Sequence, residues 1–407
     1  MTTTHVTKIV VLGGGYGGMA AALRLANNLK RLPVQITLIN GSDTFVERIR
    51  LHQIATAQRV RHRSILQLLR GTGITFLKGW VTNLLPQRQQ VVVNTEQGEQ
   101  ALPYDYLMLG LGSITDKDSI VGVRENSLSV GDPLDAALLE KRLPHLRQSS
   151  KVVVVGGGLT GIETATEIAE AYPKLAVHVV TAGTVGAGLS QRGREHIRRV
   201  FGRLGITLHE NMTVRQVEAS AVIATDGSEI SFDLCIWAGS FRGTALAANS
   251  GLATNAKGQI LIDRFMRSVD YGNIYAFGDT AAFVDNIGIT IRMACATAIP
   301  MSIHAADNLY KHLIDQKPEP FHFGYVLQCI SLGRKNGLIQ FVGSDDVPRE
   351  SVLTGKVAAF VKEAVCQYAR VSSTVGWAIR SYRWPKQHGA PNDAELAQSQ
   401  THIALKS

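Results

Sequence analysis

A glycine pattern that occurs twice constrains the fold of this chain more than any other feature of its sequence. The two copies of G-x-G-x-x-G begin 143 positions apart, and their glycines are Gly13, Gly15 and Gly18, and Gly156, Gly158 and Gly161. Each copy follows a run of branched apolar residues, which predicts a buried parallel strand, and precedes a run of helix formers. In a dinucleotide-binding fold the first glycine allows the tight turn, the second lets the backbone approach a pyrophosphate, and the third packs helix against strand. The repeat therefore predicts two dinucleotide sites, with a purely structural glycine turn as the weaker alternative for each copy.

The composition is that of an ordinary globular protein with more than one domain. A chain of 407 residues with 45% hydrophobic and 18% charged residues predicts two or three domains. It has no apolar run of 18 residues, and its start lacks the features of a signal peptide, so we predict a cytoplasmic protein without a transmembrane helix. Four widely spaced cysteines predict buried free thiols and no metal site: Cys235, Cys295, Cys329 and Cys366.

The net charge of +9 is concentrated in two stretches, 47–70 and 349–386, which each carry a net charge of +5. Such stretches suit phosphate-bearing cofactors or an anionic membrane surface, and the alternative is a solvated basic face. No nucleic-acid-binding motif accompanies the charge, so nucleic acid is not expected as a partner. We predict that the first basic stretch is largely helical as far as Arg70.

The position after the second strand of each dinucleotide unit normally holds an acid that binds the ribose hydroxyls. After the apolar run 35–39 this position is Asn40, which can hydrogen-bond a hydroxyl but carries no charge. After the run 176–180 it is Thr181. Nothing at this position favours a free 2′-hydroxyl over a 2′-phosphate, so NADH and NADPH both stay open.

Two similar strands, each preceded by an aspartate, end in glycine turns at Gly112 and Gly239. Between them, the change of composition over 114–150 marks the crossing into a second domain. A later strand ends at Gly278-Asp279, where the Asp279 carboxylate can bind a ribityl or ribose hydroxyl or, alternatively, cap the next helix. A long helix is predicted over 291–308.

Four motifs carry a resemblance to a known family. They are Gly13-Gly-Gly-Tyr-Gly-Gly18, Leu109-Gly-Leu-Gly-Ser113, Gly156-Gly-Gly-Leu-Thr-Gly-Ile-Glu163 and Asn273-Ile-Tyr-Ala-Phe-Gly-Asp279. Over about residues 8 to 345 the chain resembles the flavoproteins of the pyridine nucleotide:disulfide oxidoreductase superfamily that have two dinucleotide-binding domains. Within that superfamily it is most similar to type II NADH dehydrogenases and their soluble relatives.

The resemblance implies an α/β fold with two Rossmann-like domains and a small C-terminal α+β domain. The implied limits are 1–115 with 245–324 for FAD, 116–244 for NAD(P)H, and 325–407 for dimer or membrane contact. The residues expected at FAD are Gly13, Gly15, Tyr16, Gly17, Gly18, Asn40, Arg48, Val81, Gly112, Gly278, Asp279 and Cys295. Those expected at NADH or NADPH are Gly156, Gly158, Thr160, Gly161, Thr181 and Gly239.

Two departures limit what the resemblance implies about the electron acceptor. Disulfide reductases of the superfamily carry C-x-x-x-x-C early in the flavin domain, but 41–52 contains no cysteine, which argues against dithiol chemistry. Membrane-bound type II enzymes carry A-Q-x-A-x-Q against the quinone, and aligned on Ala294 this chain has Cys295 and Ile299 in place of the glutamines. A standard quinone site is therefore in doubt, although electron transfer is not.

Glu163 is the candidate catalytic residue. In the resembling enzymes the glutamate of Gly-Ile-Glu faces the nicotinamide and acceptor side of the flavin. The alternative is that Glu163 is an acid in the first turn of a helix, where the helix dipole favours it. Glu167, one turn further on, is expected at the helix surface or at a domain interface.

The C-terminal part begins with a predicted hairpin around Asn336-Gly337. A helical pattern of apolar and basic residues follows from 353 and ends in an aromatic and basic stretch at Lys386. Segment 353–386 can lie in a membrane interface or dock on its own domain or on a dimer mate. We favour docking and expect a homodimer, with peripheral contact to the inner face of a membrane as the alternative.

Two dinucleotides in one chain suggest a bound flavin and a diffusible nicotinamide. We therefore predict an FAD-dependent oxidoreductase that passes hydride from NAD(P)H to FAD, and electrons on to a quinone-like or other small acceptor. The alternatives are a flavin- or nucleotide-binding sensor and a tailoring redox enzyme for one specific small molecule.

Overall fold

The structure is a computed structural model that describes residues 5–283 and 291–375. The elements up to residue 109 are β1 (Thr7–Leu12), α1 (Tyr16–Asn28), β2 (Val34–Asn40), β3 (Thr44–Phe45), α2 (Leu51–Ala55), β4 (Arg63–Ser64), α3 (Ile65–Leu68), β5 (Thr75–Lys78), β6 (Trp80–Leu85), β7 (Gln90–Thr95), β8 (Gly98–Pro103) and β9 (Tyr106–Leu109). Those from 114 to 242 are β10 (Ile114–Thr115), α4 (Val123–Asn126), α5 (Pro133–Arg142), β11 (Lys151–Val155), α6 (Leu159–Ala171), β12 (Ala176–Val180), α7 (Gln191–Leu204), β13 (Thr207–His209), β14 (Val214–Val217), β15 (Ala221–Ala224), β16 (Glu229–Ser231), β17 (Leu234–Trp237) and β18 (Phe241–Arg242). The remaining elements are α8 (Leu246–Asn249), β19 (Ile260–Ile262), β20 (Ile274–Ala276), β21 (Ala281–Phe283), α9 (Cys295–Leu313), β22 (Leu327–Ser331), β23 (Gly337–Val342), β24 (Pro348–Thr354) and α10 (Gly355–Thr374).

The first fingerprint lies at the centre of a five-stranded parallel sheet in the order β20-β9-β1-β2-β5. Ile9 to Leu12 of β1 are buried because strands flank them and helices cover both faces, as their uninterrupted apolar sequence predicted. α1 packs against α9 on one face. Since β20 pairs with β9, the chain returns to the first sheet after the second fingerprint.

The second fingerprint lies in a parallel sheet of order β13-β12-β11-β17, which repeats the arrangement of the first. In both sheets the fingerprint strand lies between the next strand of its unit and a later strand preceded by an aspartate. Asp105 accepts the Lys8 N–H and Asp233 accepts the Lys151 N–H, each at 2.7 Å. The sequence repeat is thus a structural repeat, and the fold is α/β with two Rossmann-like domains.

The C-terminal unit is an antiparallel sheet, β22-β23-β24, with α10 packed against β22, β23 and α1. The predicted hairpin before Gly337 is confirmed, whereas strand β24 was not predicted, because it begins at Pro348 and carries charged residues. The helix predicted from 353 begins at Gly355, and its predicted extension over 376–386 lies outside the described residues. No helix within 5–283 and 291–375 is long and apolar enough to cross a bilayer.

The prediction of a largely helical segment up to Arg70 is wrong. α2 ends at Ala55, and Ala57 takes a left-handed conformation with φ of 59°, which stops the helix. The chain then follows an irregular path in which Arg59 and Arg61 are exposed. This arrangement agrees with the alternative of a solvated basic face.

Candidate functional site

The two glycine loops have the same geometry. Gly13 and Gly156 have φ of +97° and +131°, which L-residues with a side chain rarely adopt. A Cβ on Gly18 would lie 1.7 Å from the Gly13 carbonyl oxygen, and one on Gly161 would lie 1.9 Å from that of Gly156. The middle glycines, Gly15 and Gly158, differ from these because each faces open space, with no other atom within 4 Å of an added Cβ. An open cradle thus lies before the N-termini of α1 and α6, where the free N–H groups of a helix bind phosphate.

The residue after the second strand touches the glycine loop in both units. The Asn40 side chain accepts the Gly14 N–H at 2.8 Å and donates to the Ser42 carbonyl at 2.7 Å. The Thr181 hydroxyl lies 2.5 Å from where a Cβ of Gly157 would be. Asn40 therefore supports the loop with both ends of its amide, a role that the sequence analysis missed, and its contact with a ribose stays a prediction.

Arg48, Gly112 and Asp279 come together at the carboxyl ends of the first sheet. The Arg48 guanidinium donates to the Ser113 carbonyl at 2.7 Å and to the Gly131 carbonyl at 2.9 Å. The Ser113 hydroxyl donates to Asp279 at 2.7 Å. Burial raises the pKa of Asp279, while the Ser113 hydroxyl and the Arg48 charge act in the opposite direction.

The alternative that Asp279 caps the next helix in sequence is wrong. Gly278–Thr280 is one short 3-10 turn that leads into strand β21, and the next α-helix, α9, begins only at Cys295 rather than at 291. The Asp279 carboxylate nevertheless accepts the N–H of Ala294, immediately before α9. It therefore holds the N-terminus of α9 at the edge of the first sheet.

Tyr16 provides a test of whether a bound group fits this site. Its hydroxyl is buried and has no hydrogen-bond partner in the described part of the chain. Burial raises the pKa of Tyr16, and Cys295 and Glu47 act in the same direction. Because a buried hydroxyl without a partner is costly, this group and the open space before Gly15 fit a polar ligand such as a dinucleotide.

The remaining predicted cofactor residues lie around the same loops. Gly17 packs under Phe277, Val81 is half-buried in β6, Thr160 is in the first turn of α6, and Gly239 follows β17 against the Trp237 ring.

Glu163 lies in the second turn of α6, so the first-turn alternative is wrong. Its carboxylate forms a 2.9 Å ion pair with Lys362 of α10 and accepts the Ser331 N–H at 2.9 Å. Burial opposes ionisation of Glu163, but Lys362, His52 and the Ser331 N–H together hold its pKa below the usual value. Burial likewise acts to lower the pKa of Lys362, yet Glu163 and the nearby thiols raise it above the usual value. Both groups are therefore charged at neutral pH.

Glu167, one turn further along α6, is buried at an interface, which confirms the second of its two predicted locations. It pairs with Arg334 at 3.0 Å and accepts a hydrogen bond from Gln58. Burial raises the pKa of Glu167, and Arg334 acts in the opposite direction. The His52 Nε2 lies 3.9 Å from the Glu167 carboxylate.

A cavity of about 360 Å³ opens beside the Glu163–Lys362 pair. It is lined in part by Gln53, Ser331, Arg334, Phe360, Lys362 and Cys366. The sequence analysis did not select Lys362, Arg334 or His52. A signal was present for Lys362: it precedes Cys366 by four residues, so it lies on the same, inward face of α10, where a lysine is unusual unless it is paired.

The four cysteines are free, as predicted. Cys295, Cys329 and Cys366 interact electrostatically with Lys362, and burial raises the pKa of Cys295 to about 12 and that of Cys366 to about 11. These thiols are therefore protonated and are not activated as nucleophiles.

A family model described as "Pyridine nucleotide-disulphide oxidoreductase" matches residues 7–308. The chain is 24% identical over 351 residues to demethylphylloquinone reductase NdbB of Synechocystis sp., covering 83% of this chain and 87% of that protein. It is also 24% identical to the type II NADH:quinone oxidoreductase of Haemophilus influenzae, covering 76% of this chain and 81% of that protein. The structure of NDH2 from Plasmodium falciparum in complex with NADH has the same fold, with a TM-score of 0.77 at 15% identity over 95% of this chain and 99% of that chain.

These relatives confirm the resemblance to type II NADH dehydrogenases that the four motifs predicted. The family match spans both glycine fingerprints and ends within α9, and so includes most of the chain. The protein is therefore a member of the pyridine nucleotide-disulphide oxidoreductase family.

Proposed function

We propose that this protein is an FAD-dependent NAD(P)H oxidoreductase that reduces a quinone-type small molecule. The observation that carries the proposal is the cavity of about 360 Å³ beside the Glu163–Lys362 pair, on the helix that follows the second fingerprint. Quinones named in the titles of two relatives support this class of acceptor. Dithiol chemistry is not part of the proposal, because the cysteines are free and their thiols protonated.

The first glycine loop, Arg48, Gly278 and Asp279 would hold FAD, and the second loop with Thr160 and Thr181 would hold NAD(P)H. Bound flavin supplies hydride acceptance and electron transfer. The chain supplies the N–H groups of α1 and α6 for the two pyrophosphates, and the N-terminus of α9 for negative charge nearby. The Lys362 ammonium lies at the cavity wall, where it can donate a hydrogen bond to an acceptor oxygen that gains negative charge, while Glu163 keeps Lys362 positioned and charged.

Flavin content and acceptor turnover test the proposal together. The purified protein should be yellow, and its flavin absorbance should bleach when NADH or NADPH is added without oxygen. Steady-state turnover with menadione or a short-chain ubiquinone should then exceed turnover with oxygen alone. A protein without flavin would sink the assignment of both cofactors. Bleaching without turnover would instead favour a sensor or a tailoring enzyme, an alternative that Cys295 and Ile299 support because they stand where resembling enzymes carry glutamines.

The use of both nicotinamides is a separate prediction. Thr181 carries no charge that would repel a 2′-phosphate, and such a repulsion is worth about 1–3 kcal/mol, or roughly ten- to a hundredfold in affinity. We expect kcat/KM for NADPH to be within about tenfold of that for NADH, and Thr181→Glu to shift the preference towards NADH. Among the arginines of α7, Arg198 already pairs with Glu210 at 2.8 Å, so its charge is partly neutralised. A preference of wild type for NADH above about a thousandfold would mean that another residue reads the ribose.

The limits of the domains are also part of the proposal: 1–115 with 245–324, 116–244, and 325–407. The pairing of β20 with β9 supports the assignment of the third of these segments' neighbours, 245–324, to the FAD domain. The outer face of α10 supports a contact with a dimer mate, because Val357, Phe360 and Tyr368 are 60%, 75% and 54% exposed at helical spacing. Peripheral contact with a membrane is the alternative occupant of this face, and the cell compartment stays a prediction.

A further inference from the structure

A buried histidine lies opposite the two glutamates of α6. Glu163 and Glu167 are four residues apart, so their side chains lie on the same face of the helix. His52 of α2 packs across this face, and it is only 5% exposed. Its Nε2 has no hydrogen-bond partner in the described part of the chain, although it lies 3.9 Å from the Glu167 carboxylate.

The outer side of this cluster reaches the protein surface. Glu167 is bound by Gln58 and by Arg334, whose side chain is 37% exposed. Arg334 also lies in the wall of the cavity. Glu167 is therefore the buried carboxylate through which the cluster is connected to solvent.

The inner side of the cluster reaches the proposed acceptor site. Glu163 is paired with Lys362, and Lys362 lines the cavity. His52 interacts electrostatically with Glu163, Lys362, Arg334 and Arg50 from the elements packed around it. Burial lowers the pKa of His52 to about 4, so the ring is neutral at pH 7 and can accept a proton on one nitrogen and donate from the other.

We propose that His52 relays a proton from Glu167 to Glu163 and thereby supplies the proton that reduction of a quinone requires. The inference rests on the proposed function. The balanced reaction is NAD(P)H + H⁺ + quinone → NAD(P)⁺ + hydroquinone, which takes up one proton from solution. The relay passes that proton from solvent through Glu167 and His52 to Glu163, and from the Glu163–Lys362 pair to the acceptor oxygen, after which Glu163 is ionised again.

The test compares an acceptor that takes up a proton with one that does not. With ferricyanide the reaction is NAD(P)H + 2 ferricyanide → NAD(P)⁺ + H⁺ + 2 ferrocyanide, which releases a proton. His52→Gln should slow turnover with menadione by about ten- to a hundredfold, because a positioned proton carrier is lost. Turnover with ferricyanide and anaerobic bleaching by NADH should stay within about twofold of wild type, since neither requires the relay.

His196→Gln is the matched control, because His196 is a buried histidine on α7 that hydrogen-bonds Asn336 outside the cluster, and it should slow neither acceptor. If His52→Gln fails to fold, His52→Asn replaces it. On the unmodified protein, D₂O should slow menadione turnover and not ferricyanide turnover. Equal losses with the two acceptors, or no loss with menadione, would overturn the relay. A wild type that reduces ferricyanide but no quinone would instead overturn the proposed function, and the relay with it.

Discussion

Gly15→Ala should yield a folded protein that has lost its flavin, and Gly158→Ala one that keeps its flavin but is no longer reduced by NAD(P)H. The added methyl group meets no protein atom within 4 Å in either loop, and both glycines have an extended backbone that alanine also adopts, with φ of −79° and −78°. The methyl group instead fills the space through which a pyrophosphate approaches the backbone. We expect each affinity to fall by about a hundredfold or more, which corresponds to about 3 kcal/mol.

Flavin absorbance of the purified proteins and anaerobic titration with NADH measure the two effects separately. Gly202→Ala is the control, because Gly202 also has open space around an added Cβ but lies within α7, and it should change neither quantity. Normal flavin content in Gly15→Ala would show that FAD does not use the first loop. Normal bleaching in Gly158→Ala would show the same for NAD(P)H and the second loop.

Lys362→Met should destabilise the protein and abolish most acceptor turnover. It leaves the Glu163 carboxylate buried without its counter-ion, and breaking a buried ion pair from one side costs about 3–5 kcal/mol. Glu163→Gln combined with Lys362→Met should recover most of the lost free energy of unfolding, because no unpaired charge is left. Turnover with menadione should stay about a hundredfold low in both variants, since both lack the donor at the cavity wall. Chemical denaturation and steady-state kinetics separate stability from activity, and full turnover in the stabilised double variant would exclude Lys362 from the acceptor site.

The pH dependence of the same pair has a defined sign. The folded-state pKa of Glu163 lies below its ordinary value of 4.5, so the stability that this group contributes is present above 4.5 and is lost as the pH falls through the lowered pKa. The pKa of Lys362 lies above its ordinary value of 10.5, so its contribution is complete below 10.5 and is lost as the pH rises through the raised pKa. The difference in stability between wild type and Lys362→Met should therefore be constant between these limits and shrink below pH 4.5. A difference that grows on acidification would contradict the pairing.

The loops that bind the dinucleotides could be predicted from sequence because their chemistry is local. A tight turn, a close backbone approach and a close helix–strand contact each require a glycine at a fixed offset, and all three lie within six residues. The Asp-plus-apolar strands were also visible, and Asp105 and Asp233 do make the same contact in both sheets. The irregular path after Ala55 was missed because it depends on one left-handed residue, Ala57, that nothing in the local pattern singles out.

By itself the sequence determined the two Rossmann-like units, their order and the candidate role of Glu163, since strand burial, glycine geometry and helix start are all encoded within short segments. Only the tertiary structure decided what surrounds Glu163. Lys362 is 199 positions away and His52 is 111 positions away, on elements that have no dinucleotide motif of their own. Their partners are chosen by burial, because a charge removed from water must find its counter-charge wherever the packing of three separate parts of the chain brings one.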